Sequence, residues 1–512
     1  EKAKEKEKKE TESADKKKKT PEVKKDTSLV IDFTGVHDRK ARLTIHSSSL
    51  GDAVLSKDNE KLFYLARFEK GLNLWSTNLR TKETKMELSL DAQRANLMWD
   101  KDMKNLFLLA DGKISKINPE GWKKEAVSFN GEMTIDLDDE RAVMFNHVWN
   151  RTNAMFYIST FHGDVWDKLK EDHRKFIPHA GTGYEFAEIL SEMLGELNVS
   201  HSGARYNAPA TGGDNTSSLG IFMDYSHAGD GIKIEEIIKD GPLDKSSINI
   251  KPGMIIEQID GEKISSDRDI ASYLNRKAGK FILLTVFDPA SKTHSSITVK
   301  PITRSEENTL LYKRWVKKNQ EEVESLSKGQ LGYVHVPGMS DGPYRTVYEE
   351  MMGKYAESRG VIVDTRFNGG GDLVSDLTMF FTGKKYLEYA TESRPVGFEP
   401  SFRWNKPTVA MFNEANYSDG HCFACGYKEL GIGKTIGMPV PGTCSFAGWE
   451  MLQDGTTRWG AVPVSTRDIN GQWLENVETV PDIVVKNEPG IIGTGRDQQL
   501  ERAVEELLKS VL

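Results

Sequence analysis

The stretch GVIVDTRFNGGG, residues 360–371, decides the fold class of this chain. Its first residues are an apolar run rich in β-branched side chains, which is typical of a parallel strand buried on both faces. Asn368 and three glycines follow, so bare backbone N–H groups stand at the end of the strand. Such groups cradle a phosphate or stabilise an oxyanion, and without a GxGxxG or GK[ST] pattern the sequence favours the oxyanion.

Buried strands alternate with helices on both sides of this stretch, which predicts an α/β domain over residues 304–512. The next apolar run, PTVAMFN, leads into NYSDGHC, residues 416–422. Ser, Asp and Gly are common in surface turns, but a strand-to-helix turn is also where a nucleophile is displayed. The sequence therefore makes Ser418 a candidate nucleophile.

A serine nucleophile needs a base to take its proton. Eleven histidines are scattered along the chain. His421 lies three residues from Ser418, but in a helix starting there we expect it to point elsewhere. His201 directly follows Ser200 at the end of a predicted helix, where irregular backbone can project a side chain into a cleft, so we prefer it.

Four segments precede the α/β domain, and together they predict a multidomain protein of α/β plus β class. Residues 1–27 carry dense mixed charge and are predicted to be an exposed tail or loop. Residues 28–132 alternate in short strands with the cadence of two four-stranded propeller blades. Residues 133–212 have the periodicity of amphipathic helices, the last of which we expect to end at Ser200 and His201. Residues 213–303, which include IKPGMIIEQIDGEKI, closely resemble a PDZ domain.

Composition excludes several classes of function. The chain has 512 residues with 69 basic against 77 acidic side chains, so the net charge of -8 gives no reason to expect nucleic acid. The sequence contains no run of about 18 apolar residues, which a membrane-spanning helix would need. Three cysteines exclude a disulfide-built scaffold, and the Cys422-x-x-Cys425 spacing has no second pair to complete a zinc site. We expect no metal and no cofactor.

Six features occur in the order found in the tricorn protease family, which belongs to the wider group of C-terminal processing peptidases. They are GELNVSH, the PDZ-like segment, VDTRFNGGG, NYSDG, LGIGKTIG and LENVETVPDIVV. The resemblance spans roughly residues 28–512 and is specific because several motifs agree in order. It implies a chain truncated at its N-terminal propeller end, with partial blades, a small helical domain, a PDZ domain and a crotonase/ClpP-like catalytic domain.

The resemblance also implies a catalytic set and an acyl-enzyme mechanism. In this set Ser418 is the nucleophile, His201 the general base, Ser200 a bridging hydroxyl and Glu475 the acid behind it. The N–H of Asp419 and the N–H of one glycine in the triple-glycine turn would bind the oxyanion. Gly370 is preferred over Gly371 as that glycine. The plain alternatives are that Glu475 is a surface acid and Ser200 a helix C-cap.

Further expectations follow from the family. The PDZ loop at Leu219, Gly220 and Ile221 would bind a peptide, or else the module is a spacer. The family's acid for basic residues at the cleavage position is missing here, and Glu388 or Glu392 would have to replace it. Oligopeptide substrates, a homo-oligomer with a hexamer as its implied state, and a cytoplasmic location with the periplasm left open complete these expectations.

Three rival interpretations remain at this point. A Ser-Lys dyad would need a lysine after TIG, but the chain has MPVPGTCSF there, and Lys434 precedes the strand. A crotonase-like hydratase or isomerase would also use N–H groups at strand ends. A non-catalytic PDZ scaffold would only bind peptides.

Overall fold

The computed structural model describes residues 32–44, 49–67, 70–163, 165–208 and 212–511. The described residues divide into two compact units, with the boundary between Thr134 and Ile135. The predicted charged tail at residues 1–27 lies outside the described residues. Among those described, no helix combines the length and the apolar character needed to cross a bilayer.

The first unit contains two four-stranded antiparallel sheets, each made of consecutive strands. Alternate residues point into a shared core, where Leu65, Leu74 and Leu106 are fully buried. Four-stranded antiparallel sheets are compatible with propeller blades, whose presence stays a prediction. The strands are β1 Ser49–Leu55, β2 Lys61–Arg67, β3 Leu72–Asn78, β4 Thr84–Ala92, β5 Ala95–Trp99, β6 Leu106–Ala110, β7 Lys113–Asn118 and β8 Lys123–Ala126.

Three helices open the second unit: α1 Leu137–Met155, α2 Trp166–Arg174 and α3 Gly183–Gly195. Thr182 and Glu185 form a reciprocal capping box that fixes the start of α3. The expectation that this helix ends at Ser200 and His201 is wrong, because it ends at Gly195. The chain then turns through Asn198 at φ +46°, which buries Leu197 completely and leaves His201 in a left-handed conformation at φ +59°.

The helical segment is joined to the α/β domain by β9 Gly203–Tyr206, which pairs antiparallel with a strand of that domain, β23 Thr457–Ser465. Helices and sheet share one apolar core that includes Leu190, Trp459 and Val462. Pairing begins at Gly203, two residues after His201. His201 is therefore held next to the α/β domain by main-chain hydrogen bonds.

The PDZ-like segment is a mostly antiparallel sheet with one short helix. The sheet order is β10-β11-β12-β14-β15, with β13 paired to β12. The elements are β10 Ile221–Met223, β11 Ile232–Ile237, β12 Ile255–Ile259, β13 Glu262–Lys263, α4 Ala271–Leu274, β14 Ile282–Asp288 and β15 Thr293–Val299.

The α/β domain has a five-stranded parallel sheet of order β16-β17-β20-β21-β24. One face packs on α5 and α9 and the other on α6, α7 and α8. The elements are α5 Arg304–Ser327, β16 Leu331–His335, α6 Asp341–Glu349, β17 Gly360–Asp364, α7 Val374–Thr382, β18 Leu387–Ala390, β19 Pro395–Glu399, β20 Thr408–Phe412, α8 Asp419–Glu429, β21 Lys434–Gly437, β22 Ser445–Met451, β23, β24 Ile483–Val484 and α9 Gln498–Val511.

A buried ionic network fixes the turn after β17. Arg366 donates to both carboxylate oxygens of Asp364, and its Nη1 lies 2.7 Å from Asp497 Oδ2. Arg366 is 3% and Asp364 0% exposed. Because a buried charge is costly unless it is paired, this network fixes the start of the loop that carries the three glycines. Parallel strands end at the same edge, so that loop meets the turn after β20.

Candidate active site

Ser418 stands at a sharp turn between β20 and α8. Its backbone angles, φ +56° and ψ −124°, are costly for a residue with a side chain, on the order of 1–3 kcal/mol. It is the N-cap residue of α8, yet its side chain does not accept a hydrogen bond from the helix. Its N–H donates to Thr443 Oγ1 at 2.9 Å. The strained turn thus presents a hydroxyl that is not spent on capping.

His201, Ser200 and Glu475 form a chain of hydrogen bonds. Ser200 Oγ lies 2.6 Å from His201 Nδ1 and donates to Glu475 Oε2 at 3.1 Å, while Ser200 N–H donates to Glu475 Oε1 at 2.6 Å. Glu475 is 4% exposed, so it is not a surface acid. Ser200 lies five residues beyond the end of α3 and does not cap it.

The direction of these bonds sets the tautomer of His201. Ser200 has one hydroxyl proton, which goes to the acceptor-only carboxylate, so its oxygen accepts from Nδ1–H. Nε2 then carries the lone pair. This atom is buried and has no hydrogen-bond partner in the described structure. Burial lowers the pKa of His201, and the charge of Glu475 partly opposes this, so the imidazole is neutral at pH 7.

Tyr417 carries His201 next to the nucleophile. Its hydroxyl accepts the N–H of His201 at 2.8 Å, and the two rings lie 4.5 Å apart between centroids with a tilt of 31°. Tyr417 immediately precedes Ser418 in the chain. The structure therefore brings together, through this one residue, two segments that are 217 positions apart in sequence (418 − 201).

Three polar residues that sequence reasoning missed support the acid and the nucleophile. Thr443 accepts the N–H of Ser418, and Ser445 Oγ donates to Glu475 Oε2. Ser445 Oγ also lies 2.8 Å from Ser465 Oγ. No motif or spacing marks these side chains, since they reach the site from β22, β23 and the loop before them. Tyr417 alone had a signal, its place beside the candidate nucleophile.

The triple-glycine turn packs directly against Ser418. A Cβ at Gly370 would lie 2.5 Å from Ser418 Cβ, and one at Gly371 would lie 1.9 Å from Met339 O, so neither position accepts a side chain. The N–H of Gly370 already donates to Asn368 Oδ1 at 2.8 Å. Asp419 is the first residue of α8, where the helix supplies no acceptor for its N–H.

The side chain of Asp419 ties the glycine turn to α8. Its carboxylate accepts from the N–H groups of Leu373 at 2.7 Å and Val374 at 3.2 Å. Burial raises the pKa of Asp419, and these two bonds partly oppose the shift. Asp419 thereby links the start of α8 to the segment that follows the three glycines.

His421 points away from Ser418, as expected for its position in α8. Its Nδ1 accepts from Thr443 N–H at 3.0 Å, and its Nε2 lies 3.0 Å from Thr479 Oγ1. Burial lowers the pKa of His421 to about 4. Both ring nitrogens are engaged, so this histidine is a packed structural group.

The cysteines form a bond that the sequence did not reveal. Cys422 is joined to Cys444 and not to Cys425, which is a free thiol. Cys444 lies between Thr443 and Ser445, so the disulfide fastens α8 to the loop that contacts both Ser418 and Glu475. In the described residues, no cluster of three or more His, Cys, Asp or Glu side chains could hold a metal ion.

The PDZ loop is partly engaged by its own chain. Gly220 N–H donates to Ser218 Oγ at 2.9 Å, and that hydroxyl donates to Glu307, which is 8% exposed. Leu219 is buried, and Ile221 begins β10. One of the three amides predicted to receive a peptide is therefore occupied.

Glu388 and Glu392 lie on the exposed hairpin formed by β18 and β19. Glu388 pairs with Lys385, and Glu392 is in the turn between the strands. Within the described residues neither is bonded to the groups around Ser418. Their role in specificity stays a prediction.

Three family models match the chain in order. They are the Tricorn protease C1 domain at residues 137–195, the Tricorn protease PDZ domain at residues 228–304 and Peptidase family S41 at residues 330–485.

Curated relatives agree with these matches. The Tricorn protease homolog of Saccharolobus solfataricus is 29% identical over 359 residues, covering 68% of this chain and 33% of the relative. The Tricorn protease of Thermoplasma acidophilum is 26% identical over 490 residues, covering 93% of this chain and 44% of the relative. The chain thus spans less than half the length of these relatives.

A solved structure, described as the crystal structure of the tricorn protease, has a TM-score of 0.74 at 21% identity. The match covers 88% of this chain and 46% of that one. This likeness concerns the fold, and it confirms the predicted multidomain class of α/β plus β. In sequence and in fold the chain is thus similar to the tricorn proteases, and it carries matches to the Tricorn protease C1, Tricorn protease PDZ and Peptidase family S41 models in that order along the chain.

Proposed function

We propose that this protein is a serine peptidase that hydrolyses oligopeptides through an acyl-enzyme on Ser418. The observation that carries the proposal is the pairing of a strained, uncommitted serine with a histidine whose Nε2 has no partner and whose Nδ1 is held by Ser200 and Glu475. A hydroxyl becomes a nucleophile when such a base takes its proton. The match to the Peptidase family S41 model supports this reaction class.

In the first step Ser418 Oγ attacks the peptide carbonyl and His201 Nε2 takes the hydroxyl proton. The imidazolium that forms keeps its Nδ1–H on Ser200 Oγ, and the carboxylate of Glu475 stabilises its positive charge through that hydroxyl. His201 then gives the proton to the leaving amine. A water molecule, deprotonated by the same nitrogen, releases the acyl group and restores Ser418.

The oxyanion of the tetrahedral intermediate would be bound by backbone amides. The N–H of Asp419 is supported by its place at the start of α8, where the helix dipole also favours negative charge. Gly370 lies against Ser418, but its N–H must leave Asn368 Oδ1 before it can donate to substrate. We therefore propose that the second donor is the N–H of Gly370, or else that of Gly371. The peptide group that carries the Gly370 N–H has to rotate before this N–H can bind the oxyanion.

Oligopeptides, rather than folded proteins, are proposed as substrates by likeness to the relatives named tricorn proteases. We also propose that the protein forms a homo-oligomer, the hexamer being the state implied by the family. The substrate class and the oligomeric state are both inferred from whole proteins, of which this chain matches less than half. Peptide hydrolysis and light scattering measure them directly.

Kinetics of two variants test the function. Ser418→Ala and His201→Ala are each expected to lower kcat for a fluorogenic oligopeptide by about three to six orders of magnitude while the circular dichroism spectrum is kept. Near-normal hydrolysis by either variant would remove that residue from the mechanism. A folded wild-type protein that hydrolyses no peptide would favour a scaffold, and turnover of an acyl thioester without Ser418 would favour a crotonase-like reaction.

A further inference from the structure

An open apolar pocket of about 410 Å³ lies at the carboxyl ends of β16 and β17. None of the side chains in the Ser418–His201–Ser200–Glu475 set contributes to it. Ligand pockets have volumes of about 300–1,000 Å³. This pocket is at the lower end of that range, and its size suits a single large side chain. It is lined by Leu311, Tyr312 and Trp315 of α5, by His335 and Pro337 at the end of β16, and by Phe367 after β17.

Phe367 forms one wall of the pocket, and its exposed position is not explained by packing in the hydrophobic core. Its side chain is 62% exposed, and its φ of +66° costs a bulky residue about 1–2 kcal/mol. The backbone is held there by a hydrogen bond from Phe367 N–H to Asn413 Oδ1 at 3.0 Å. The ring meets Trp315 edge-on, with centroids 6.2 Å apart. An aromatic ring is thus kept at the surface in a costly conformation, facing a second aromatic ring.

The floor of the pocket is apolar in character although it contains His335. Its Nε2 donates to Arg366 O at 2.9 Å, and its Nδ1 lies 3.0 Å from the hydroxyl of Tyr312. Both ring nitrogens are therefore satisfied inside the protein, and burial lowers the pKa of His335, which keeps the ring neutral. The charges nearest to it, Arg366 and Asp364, are paired with each other and buried.

The pocket is linked to the candidate active site by the chain itself. Phe367 precedes Asn368, whose carbonyl accepts the N–H of Tyr417 at 2.9 Å and whose side chain holds Gly370. Phe367 and Gly370 are three positions apart, a reach of at most about 11 Å. Because Gly370 touches Ser418, an extended peptide advancing about 3.3 Å per residue covers this distance within about three residues.

We propose that this pocket is a specificity subsite that receives one large apolar side chain, aromatic or leucine-like, of the peptide substrate. The side chain belongs to a residue within about three positions of the cleaved bond. This inference rests on the proposed peptidase function, which it deepens by naming the substrate class. Continuity with the glycine turn is what selects a substrate side chain as the occupant.

The first test compares peptides that differ only in the position of one phenylalanine. In an alanine-rich fluorogenic octapeptide, phenylalanine at one position near the cleaved bond should raise kcat/KM by roughly 10- to 100-fold over the all-alanine peptide. Trp315→Ala and Phe367→Ala should each abolish most of that gain, mainly through KM, so that each variant hydrolyses the phenylalanine peptide and the all-alanine peptide with similar kcat/KM. Phe281→Ala is the matched control, since Phe281 is 74% exposed and lies outside the pocket.

The Phe367→Ala variant should still fold, because the side chain that it removes is largely exposed. Its result can therefore be interpreted even if Trp315→Ala does not fold. If the gain from phenylalanine survives in both pocket variants, the subsite proposal is overturned while the peptidase proposal stands. If Phe367→Ala instead changes the molecular mass measured by light scattering, a second copy of the chain covers the pocket, and the proposal is again overturned.

The second test does not depend on turnover. In the Ser418→Ala background, the phenylalanine peptide should bind at least 10-fold more tightly than the all-alanine peptide, as measured by calorimetry, and adding Phe367→Ala should remove the difference. Such binding in a protein whose wild-type form hydrolyses nothing would refute the proposed function and keep the subsite. Equal binding of both peptides would refute the subsite.

Discussion

Replacing Glu475 by glutamine changes one atom and reverses the direction of the hydrogen bonds behind His201. Glu475 accepts from Ser200 N–H, Ser200 Oγ and Ser445 Oγ. Glutamine can keep the first bond with its carbonyl oxygen, but its NH₂ group then faces both hydroxyls as a donor. Ser200 Oγ must accept from it and turn its own proton toward His201 Nδ1. The imidazole proton is then fixed on Nε2, where Ser418 needs a base.

The size of the effect follows from this change of tautomer. A wrong tautomer in a serine protease triad lowers kcat by about 10⁴-fold. With one extra hydroxyl in the relay, we expect Glu475→Gln to lower kcat by about 10³- to 10⁴-fold, equivalent to about 4–5.5 kcal/mol of transition-state stabilisation. The charge of Glu475 raises the pKa of His201 against the effect of burial. Its loss should therefore move the acidic limb of kcat/KM to lower pH.

The assay is kcat/KM for a fluorogenic peptide between pH 5 and 9, with folding checked by thermal melting. Glu478→Gln is the matched control, because Glu478 is an exposed acid three residues further along the same loop. It should leave both rate and pH profile unchanged. A Glu475→Gln enzyme within 10-fold of wild type, with an unshifted acidic limb, would refute the relay.

Three other predictions address the parts around the relay. Gly370→Ala puts a Cβ 2.5 Å from Ser418 Cβ at φ +92° and should lower kcat/KM at least 100-fold, whereas Gly369→Ala, where a Cβ meets nothing within 4 Å, should stay within about threefold; equal effects would contradict the packing. Tyr417→Phe keeps the ring beside His201 but leaves the His201 N–H without its acceptor, so kcat should fall about 10-fold, and an unchanged kcat would remove Tyr417 from the positioning of His201. Burial lowers the pKa of His421 to about 4, so this histidine takes up a proton more readily in the unfolded protein. The free energy of unfolding, measured in urea melts, should therefore fall by about 3 kcal/mol from pH 6.5 to pH 4. If His421→Asn shows the same dependence on pH, other groups cause the loss.

Local sequence signals were sufficient for the elements that form the sheet. The apolar strand ending at Asp364 and the strand before Ser418 need burial on both faces, and only a parallel sheet covered by helices supplies it. Motif order was sufficient to predict the similarity to the tricorn proteases. It also led to Ser200 and Glu475, whose bond spans 275 positions and has no local signature.

Features that depend on tertiary contact could not be predicted. Apolar spacing suggested a helix as far as His201, but Leu197 enters the core through a turn and ends it earlier. The Cys422–Cys444 disulfide, the Thr443 acceptor and the bond from Gly370 to Asn368 each depend on how loops from different strands meet. Periodicity within one segment carries no information about such meetings.

Covalent labelling with a fluorophosphonate probe measures directly whether His201 activates Ser418 as a nucleophile. Peptide mass spectrometry should find the probe on Ser418 in the wild-type protein, at a rate that rises with pH as His201 loses its proton, and labelling should fall at least 100-fold in His201→Ala. If the folded wild-type protein is never labelled, or if Ser418 is labelled equally fast in His201→Ala, then His201 does not activate Ser418.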